Sequence, residues 1–235
     1  IISQKRESFT PDPPNDLEKD LSNLMIKHFK KRKESENLFF GEIEWPESER
    51  IEIKKTEQED TKIVNKIQSL KPDLILTYGC GMISSQVIKS AKNAWNIHGG
   101  LSPWYKGGIT LFWPSYMLEP QMTGITIHEL TKDLDAGDII HQCTSDLVRG
   151  DGVHDLACRA ITKIGEEINI LISMIESGDN IKKKPQISSG KLWRESDWRP
   201  EHLKLIYDTY DDKIVDNYLD KKFLQNNPLI FRQFN

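Results

Sequence analysis

The sequence predicts an α/β fold built on a Rossmann-like, mostly parallel sheet. Residues 74–78 form a continuous apolar run, which is typical of a strand buried on both faces. Before this run, the apolar residues of 59–70 have a helical spacing. After it, a second helix is predicted over 84–92 and a second strand over 94–97. Alternation of strand, helix and strand indicates a parallel sheet, whose ligands bind beyond the carboxyl ends of the strands. The predicted site therefore includes residues directly after Tyr78 and Ile97.

The segment before this unit predicts one long helix. Ile1 and Ile2 resemble the end of a strand, so we expect a further strand and helix ahead of them. Residues 7–19 are rich in Pro and Asp and predict a loop. Residues 15–35 carry apolar side chains at helical spacing, and the basic run at 30–33 suits the C-terminus of that helix.

The pattern changes after residue 122. Residues 124–128 and 138–143 predict an antiparallel strand pair that flanks a turn at Asp135. Residues 151–178 predict a long helix with a single apolar stripe.

The last 46 residues form a separate unit in this prediction. Residues 190–235 predict a small helical extension, whose first helix begins at Pro200. The chain is therefore divided into a catalytic core over 1–189 and a C-terminal extension over 190–235.

The composition excludes several classes of protein. A mean hydropathy of -0.56 fits a soluble protein, and no apolar run approaches the ~20 residues of a membrane span. A net charge of -4 argues against a nucleic-acid partner. The three cysteines are odd in number and form no CxxC pair, which favours reduced thiols and a cytoplasmic location.

Three polar residues indicate the chemistry. Asn96 and His98 are two residues apart at the end of a predicted strand, so their side chains point to the same side. The loop that follows is rich in Gly and Pro and can bring its backbone close to a ligand. The turn at 134–137 supplies Asp135, whose carboxylate can orient the imidazole. An amide, an imidazole and a carboxylate are the groups that acyl transfer to an amine requires.

Several spaced elements between about residues 60 and 178 resemble the formyltetrahydrofolate-dependent formyltransferases. They are Asn96-x-His98, Pro103, Gly107, Thr123-Gly-x-Thr-x-His128 and Leu134-Asp-x-Gly-Asp. The family includes glycinamide ribonucleotide transformylase, methionyl-tRNA formyltransferase and the nucleotide-sugar N-formyltransferases. The family usually has Ser-Leu-Leu-Pro in the loop after its His, and this chain has Gly-Gly-Leu-Ser-Pro there. Because that loop shapes the acceptor pocket, the departure leaves room for an unusual acceptor.

The resemblance implies a role for each matching residue. It implies a Rossmann-like formyltransferase core, 10-formyltetrahydrofolate as the formyl donor, and a catalytic trio of Asn96, His98 and Asp135. The folate-binding residues would be Tyr78, Gly79, Met82, Ile83 and Leu134. The acceptor-binding residues would be Gly100, Ser102, Trp104, Tyr105 and Lys106.

The expected chemistry assigns hydrogen bonds to two of these residues. Asn96 and His98 are expected to donate to the formyl oxygen as it gains charge, and one such donor is worth ~3 kcal/mol. Asp135 is expected to bias His98 towards its protonated form and to relay protons through an ordered water.

Some alternatives stay open at this stage. Asp138 is a rival for the role of Asp135, and His128 either leans into the site or is bonded within its strand. Trp104 and Tyr105 either stack on a ligand or pack in the core. Met82 and Ile83 either contact the folate or pack in the core. A zinc site from His141, Cys143 and His154 is disfavoured because these residues do not cluster, so no metal is expected.

The expected activity is N-formylation of a small-molecule amine, carried by a nucleotide-linked amino sugar. The extension contains eight Lys and Arg against eight Asp and Glu, whereas a tRNA-binding domain should be basic. Glycinamide ribonucleotide as acceptor would leave the extension without a purpose. Both acceptors remain alternatives, together with a hydrolase and a catalytically silent folate- or nucleotide-binding relative. A homodimer formed through the extension is also left open.

Overall fold

The computed structural model describes residues 1–4, 10–42, 44–54, 61–187 and 190–234. The predicted start of a helix at residue 59 and the predicted boundary after residue 189 lie outside these residues. None of the helices in the described ranges is both long enough and apolar enough to cross a bilayer.

Strands and helices alternate through the first half of the chain. The N-terminal elements are β1 (Ile2–Gln4), α1 (Lys19–Phe40), β2 (Ile51–Ile53) and α2 (Thr61–Leu70). The central elements are β3 (Leu74–Tyr78), α3 (Ser85–Ile88), β4 (Asn93–His98), β5 (Tyr105–Gly107) and α4 (Trp113–Tyr116). The remaining elements are β6 (Gly124–Glu129), β7 (Ile139–Thr144), α5 (Val153–Glu176), β8 (Lys191–Trp193), α6 (His202–Lys204) and α7 (Ile214–Leu219).

The main sheet has the strand order β3-β4-β6-β7. Strands β3 and β4 are parallel, whereas β6 runs antiparallel to both β4 and β7. Two short parallel pairs, β1 with β2 and β5 with β8, lie outside this sheet. The predicted α/β class, the strand over 74–78 and the antiparallel pair after residue 122 are all confirmed.

Helix α1 lies further along the chain than the sequence predicts, because it begins at Lys19 rather than at residue 15 and passes the predicted end at residue 35. It continues to Phe40 and ends at Gly41, whose φ of 61° lies in the left-handed region that glycine enters readily. The basic run at 30–33 therefore lies within the helix, and its assignment to the C-terminus was wrong. Arg32 pairs with Glu36 at 2.7 Å, and a pair four residues apart supports a helix that continues past the run.

Helix α3 is shorter than predicted. The Ser84 hydroxyl accepts the backbone N–H of Val87, which confirms the expected serine cap. The helix then ends at Ile88 rather than near residue 92.

Two hydrophobic clusters hold these elements together. In the first, α5 packs on the main sheet through Trp95, Ile125, Ile127, Ile140, Ala160, Ile164 and Leu171. In the second, α1 packs on the segment 101–122 and on the extension through Leu24, Leu101, Trp113, Trp193, Leu203 and Ile206. Burying a large apolar side chain is worth about 1.5–3 kcal/mol, so the extension is firmly attached to α1.

The C-terminal segment covers the outer edge of β7. The backbone N–H of Gln142 donates to the carbonyl of Phe231 at 2.7 Å, and the N–H of Gln233 donates to His141 Nδ1 at 3.1 Å. His141 Nε2 lies 2.8 Å from Glu167, whose other oxygen accepts from Arg232 at 2.7 Å. Both ring nitrogens of His141 are thus engaged in holding the chain terminus. An edge strand covered in this way is protected from pairing with other chains.

Candidate active site

A row of polar side chains crosses three adjacent strands. Thr77, Asn96 and His128 are paired in register on β3, β4 and β6. The Thr77 hydroxyl donates to Asn96 Oδ1 at 2.8 Å, and Asn96 Nδ2 lies 3.2 Å from His128 Nε2. Side chains in register on neighbouring strands project from the same face, so strand pairing brings these groups together.

His98 lies one pair further along β4, opposite Thr126. It is buried, and its Nε2 lies 2.8 Å from the backbone carbonyl of Tyr105, so Nε2–H is the donor in that bond. Gly100 makes this approach feasible, because a Cβ at that position would lie 2.5 Å from the Tyr105 oxygen and 2.7 Å from His98 Nε2.

Asp135 reaches the row from the loop between β6 and β7. Its Oδ2 accepts the backbone N–H of Gly107 at 2.8 Å and lies 3.4 Å from His98 Nδ1. Its Oδ1 lies 3.3 Å from His128 Nε2. The residue has a φ of 47°, a conformation that Asp and Asn adopt more readily than most residues. The carboxylate thus bridges the two imidazoles.

Burial and the carboxylate of Asp135 have opposite effects on the pKa of His98. Burial lowers the pKa of His98 and outweighs the attraction of Asp135, which acts in the opposite direction. The net pKa of His98 lies below its ordinary value, although Asp135 raises it in the expected direction. Each ring nitrogen of His98 faces an oxygen acceptor, because Nε2 lies beside the Tyr105 carbonyl and Nδ1 beside the Asp135 carboxylate.

Asp135 carries its charge in spite of burial. Burial raises the pKa of Asp135, but the hydrogen bond with His128, the proximity of His98 and the N–H of Gly107 together hold the pKa below its ordinary value. A neutral imidazole beside an ionised carboxylate can accept a proton and form an ion pair.

The structure brings the predicted trio into one cluster. Asn96 is linked to Asp135 through His128, and Asp135 contacts His98 directly. The contacts of this cluster involve Asp135 and not its rival Asp138, whose backbone carbonyl accepts from Glu129 in the strand pair.

Two members of the row were not assigned from the sequence. The hydrogen bond from Thr77 to Asn96 was not foreseen, and the side chain of His128 was left open between the site and its own strand. The alternation Thr126-x-His128 is a signal for a shared face, since residues two apart in a strand project together. Only the register shows that His128 lies opposite Asn96.

The predicted folate residues lie at the surface near the end of β3 and in the loop after β6. Tyr78, Met82 and Leu134 each expose about half of their area, whereas Ile83 is half-buried and Gly79 is exposed. Exposed large apolar side chains favour an apolar ligand over the alternative of core packing. Their assignment to folate stays a prediction.

The predicted acceptor residues divide into two groups. Gly100 and Ser102 are buried, and the Ser102 backbone N–H donates to Thr126 Oγ1 at 2.9 Å, so these two residues support the loop from within. Trp104 is exposed and Lys106 is half-buried, whereas the ring of Tyr105 is buried and its hydroxyl donates to Glu119 at 2.8 Å.

Within the described ranges, no group of three or more His, Cys, Asp or Glu side chains has the arrangement of a metal site. His154 lies near His28 between α1 and α5, whereas His141 lies beside Glu167. All three cysteines are free thiols, and burial raises the pKa of Cys143 and of Cys158 to about 12.

Comparisons with known proteins agree with this geometry. A family model described as formyl transferase matches residues 12–173, which is more than half of the chain. A methionyl-tRNA formyltransferase from Lactobacillus johnsonii is 40% identical over 76 residues. That match covers 32% of this chain and 24% of the relative, so the chain spans about a quarter of the length of that curated protein.

Solved structures share the fold at low identity. The formyltransferase PseJ from Anoxybacillus kamchatkensis, solved in complex with UDP-4,6-dideoxy-4-formamido-L-AltNAc and tetrahydrofolate, has a TM-score of 0.55 at 24% identity. That match covers 79% of this chain and 90% of PseJ. A sugar N-formyltransferase from a Shewanella species has a TM-score of 0.55 at 16% identity, with 87% of this chain and 85% of the other covered.

Proposed function

Because the chain belongs to the formyl transferase family, we propose that it transfers a formyl group from 10-formyltetrahydrofolate to the amine of a nucleotide-linked amino sugar. The observation that carries the proposal is the polar cluster in which His98 and His128 lie beside Asp135 and Asn96 is joined to Asp135 through His128. It combines a hydrogen-bond donor, an imidazole and an ionised carboxylate near the ends of β3 and β4, where α/β sheets bind their ligands.

The donor fits the surface beside this cluster. The half-exposed side chains of Tyr78, Met82 and Leu134 offer apolar area to a planar ring system next to the end of β3. When bound, 10-formyltetrahydrofolate supplies the formyl carbon and the nitrogen from which it departs. Tyr78, Gly79, Met82, Ile83 and Leu134 would hold it there.

Asn96 supplies the hydrogen bond to the formyl oxygen. Its side-chain oxygen is held by Thr77, and one of its two N–H hydrogens faces His128. The second N–H is available for an oxygen that gains negative charge. A preorganised donor of this kind stabilises the transition state by ~3 kcal/mol. His98 is not free for the same role while its Nε2–H donates to Tyr105.

His98 instead handles the proton. The acceptor nitrogen forms a bond to the formyl carbon and loses one proton. The donor nitrogen gives up its own bond to the formyl carbon and gains one proton. His98 can take up a proton at Nδ1, where Asp135 at 3.4 Å stabilises the resulting cation. The same site can then release the proton towards the leaving nitrogen.

The nature of the extension supports a small acceptor. Its eight basic and eight acidic side chains make it electrically balanced, and it packs against α1 in a shared hydrophobic cluster. A tRNA acceptor would demand a basic surface that neutralises phosphates. A balanced extension suits an acceptor with one or two phosphates.

Methionyl-tRNA is the second candidate acceptor. The 40% identity over 76 residues to the Lactobacillus johnsonii enzyme favours it. That match covers 24% of the relative, so it says little about the part of that protein outside the matched segment.

Deformylation of 10-formyltetrahydrofolate, followed by absorbance, tests the proposal. The acceptor panel contains nucleotide-linked 3- and 4-amino sugars, glycinamide ribonucleotide, methionyl-tRNA and buffer alone. Turnover with an amino sugar, lost in Asn96→Ala, is the expected result. Turnover with tRNA alone would select the second candidate. Turnover in buffer alone would indicate a hydrolase, and folate binding without turnover would indicate a silent relative.

A further inference from the structure

A cavity of about 500 Å³ lies between the acceptor loop and the extension. Its walls come from the loop at 104–105, the turn at 117–122, strand β8 and the segment 226–229. A volume of this size is typical of small-molecule sites. None of the predicted catalytic or folate residues lines it.

The cavity shares a wall with the catalytic cluster. Strand β5 forms that wall: the Tyr105 carbonyl accepts from His98, and the Gly107 N–H donates to Asp135. The Tyr105 ring lies parallel to Trp193 on the cavity side, with ring centroids 6.3 Å apart. A ligand anchored in the cavity therefore lies one strand away from the reacting groups.

The apolar part of the cavity suits a planar ring. Trp104 exposes 36% of its area, Met117 49% and Leu229 83%, although all three line a concave surface. Large apolar side chains held open to water around a concavity mark a ligand site. An indole face binds a nucleobase by stacking, whatever the base, because every base has a π-face.

The polar part of the cavity suits a phosphate. Lys191 lines the cavity and holds its ammonium 3.6 Å from the centroid of the Trp193 ring. Among the described residues, no carboxylate lies within ion-pair distance of it. Glu119, the carboxylate that lines the same cavity, accepts from the Tyr105 hydroxyl and forms no ion pair with Lys191. Such a cation can leave the indole face for a phosphate group.

We propose that this cavity binds the nucleoside diphosphate portion of the acceptor, with the base stacked on Trp104 and a phosphate bound by Lys191. The inference rests on the proposed function, since it names the place where a nucleotide-linked acceptor is held. Because β5 separates the cavity from the catalytic cluster, the sugar at the other end of the acceptor has to extend around this strand to bring its amine to Asn96 and His98. The extension supplies Lys191 and thereby helps to select the acceptor.

Calorimetric titration of the full chain with UDP, dTDP, ADP and inorganic pyrophosphate tests the inference. We expect wild-type protein to bind at least one nucleoside diphosphate. Trp104→Ala should weaken that binding by about 5- to 150-fold, the range for loss of one base–aromatic stack. Lys191→Met should weaken nucleoside diphosphate and pyrophosphate alike. The matched controls Trp45→Ala and Lys213→Met change an exposed Trp and an exposed Lys outside the cavity, and should bind as wild type does.

Folate binding measured on the same samples separates the two proposals. Folate binding without nucleotide binding would overturn this inference and leave formyl transfer to another acceptor. Nucleotide binding without folate binding would support the cavity and contradict the proposed function. Unchanged affinity in both Trp104→Ala and Lys191→Met would overturn the inference. If the wild-type protein binds no nucleotide and is a dimer, and Trp104→Ala is a monomer, the cavity would instead be identified as a contact between two copies of the chain.

Discussion

Replacement of Asp135 by Asn isolates the contribution of one charge to formyl transfer. Asn adopts the positive φ of 47° at this position readily, and its amide oxygen can still accept the N–H of Gly107. The substitution therefore removes the negative charge and keeps the shape of the loop. The remaining change is the loss of an anion 3.4 Å from His98 Nδ1.

The magnitude follows from that distance. Two unit charges 3.4 Å apart attract by about 5 kcal/mol at an effective dielectric constant near 20, which sets an upper limit. An adjacent opposite charge changes the pKa of a group by about 1 to 3, equivalent to about 1.4–4 kcal/mol. If His98 carries the proton in the transition state, kcat should fall roughly 10- to 1,000-fold.

The pH profile gives a second readout. The pKa of His98 already lies below its ordinary value, and removal of Asp135 should lower it further. The acidic limb of kcat/KM should therefore move to lower pH in Asp135→Asn, because a base with a lower pKa stays unprotonated down to a lower pH. A purely structural defect would lower activity without moving that limb.

Two neighbouring carboxylates serve as controls. Asp133 is exposed in the same loop, and Asp138 is the rival identified from the sequence. Asp133→Asn and Asp138→Asn should keep wild-type kcat. Retention of full activity in Asp135→Asn, or a large loss in Asp138→Asn, would refute the proposed role of the carboxylate. Thermal unfolding at neutral pH should be recorded for each variant. Because the pKa of Asp135 is lowered in the fold, its ionised carboxylate stabilises the protein above pH ~4, and Asp135→Asn loses this stabilisation.

Three further predictions follow from the same structure. In steady-state kinetics, Asn96→Ala should lower kcat by about 100- to 1,000-fold with little change in the KM for folate, because it removes a donor that acts in the transition state. A rise in the KM for folate as large as the fall in kcat would contradict this prediction. Gly107→Ala should destabilise the fold by about 1–3 kcal/mol in urea unfolding, since the residue has a φ of 95° and a Cβ there would collide with the Trp193 carbonyl. A urea midpoint equal to that of the wild type would contradict this prediction. Burial lowers the pKa of His28 to about 2 and that of His154 to about 3. The unfolded chain therefore binds more protons below pH ~6.5, and stability should fall as pH drops from there towards 3. His154→Asn should flatten this dependence in urea midpoints measured between pH 7 and 4, and an unchanged slope would contradict the prediction.

Elements with a strong local pattern were predicted well. Strand β3 begins and ends where its apolar run does, and the predicted helix over 151–178 corresponds to Val153–Glu176. Long periodic segments carry enough side chains to show which face is buried. The basic run at 30–33 predicted the wrong C-terminus for α1, because a basic cluster also fits the exposed face of a helix that continues.

Short and distant pairings were not predicted. Strands β5 and β8 have three residues each, too few for a visible period, and they are paired across more than eighty residues of chain. Their pairing builds both the wall beside Asp135 and the cavity lined by Trp104 and Lys191. Such contacts depend on the whole fold, which no local pattern encodes.

The sequence by itself determined the α/β class, the family resemblance and the choice of Asn96, His98 and Asp135 as candidates for the reacting centre, because these are carried by residue types in short motifs. Only the tertiary structure decided the direction in which the pKa of His98 moves, since burial and the proximity of Asp135 oppose each other and their balance depends on packing. It likewise decided that His128 joins Asn96 to Asp135, because strand register is a property of the assembled sheet.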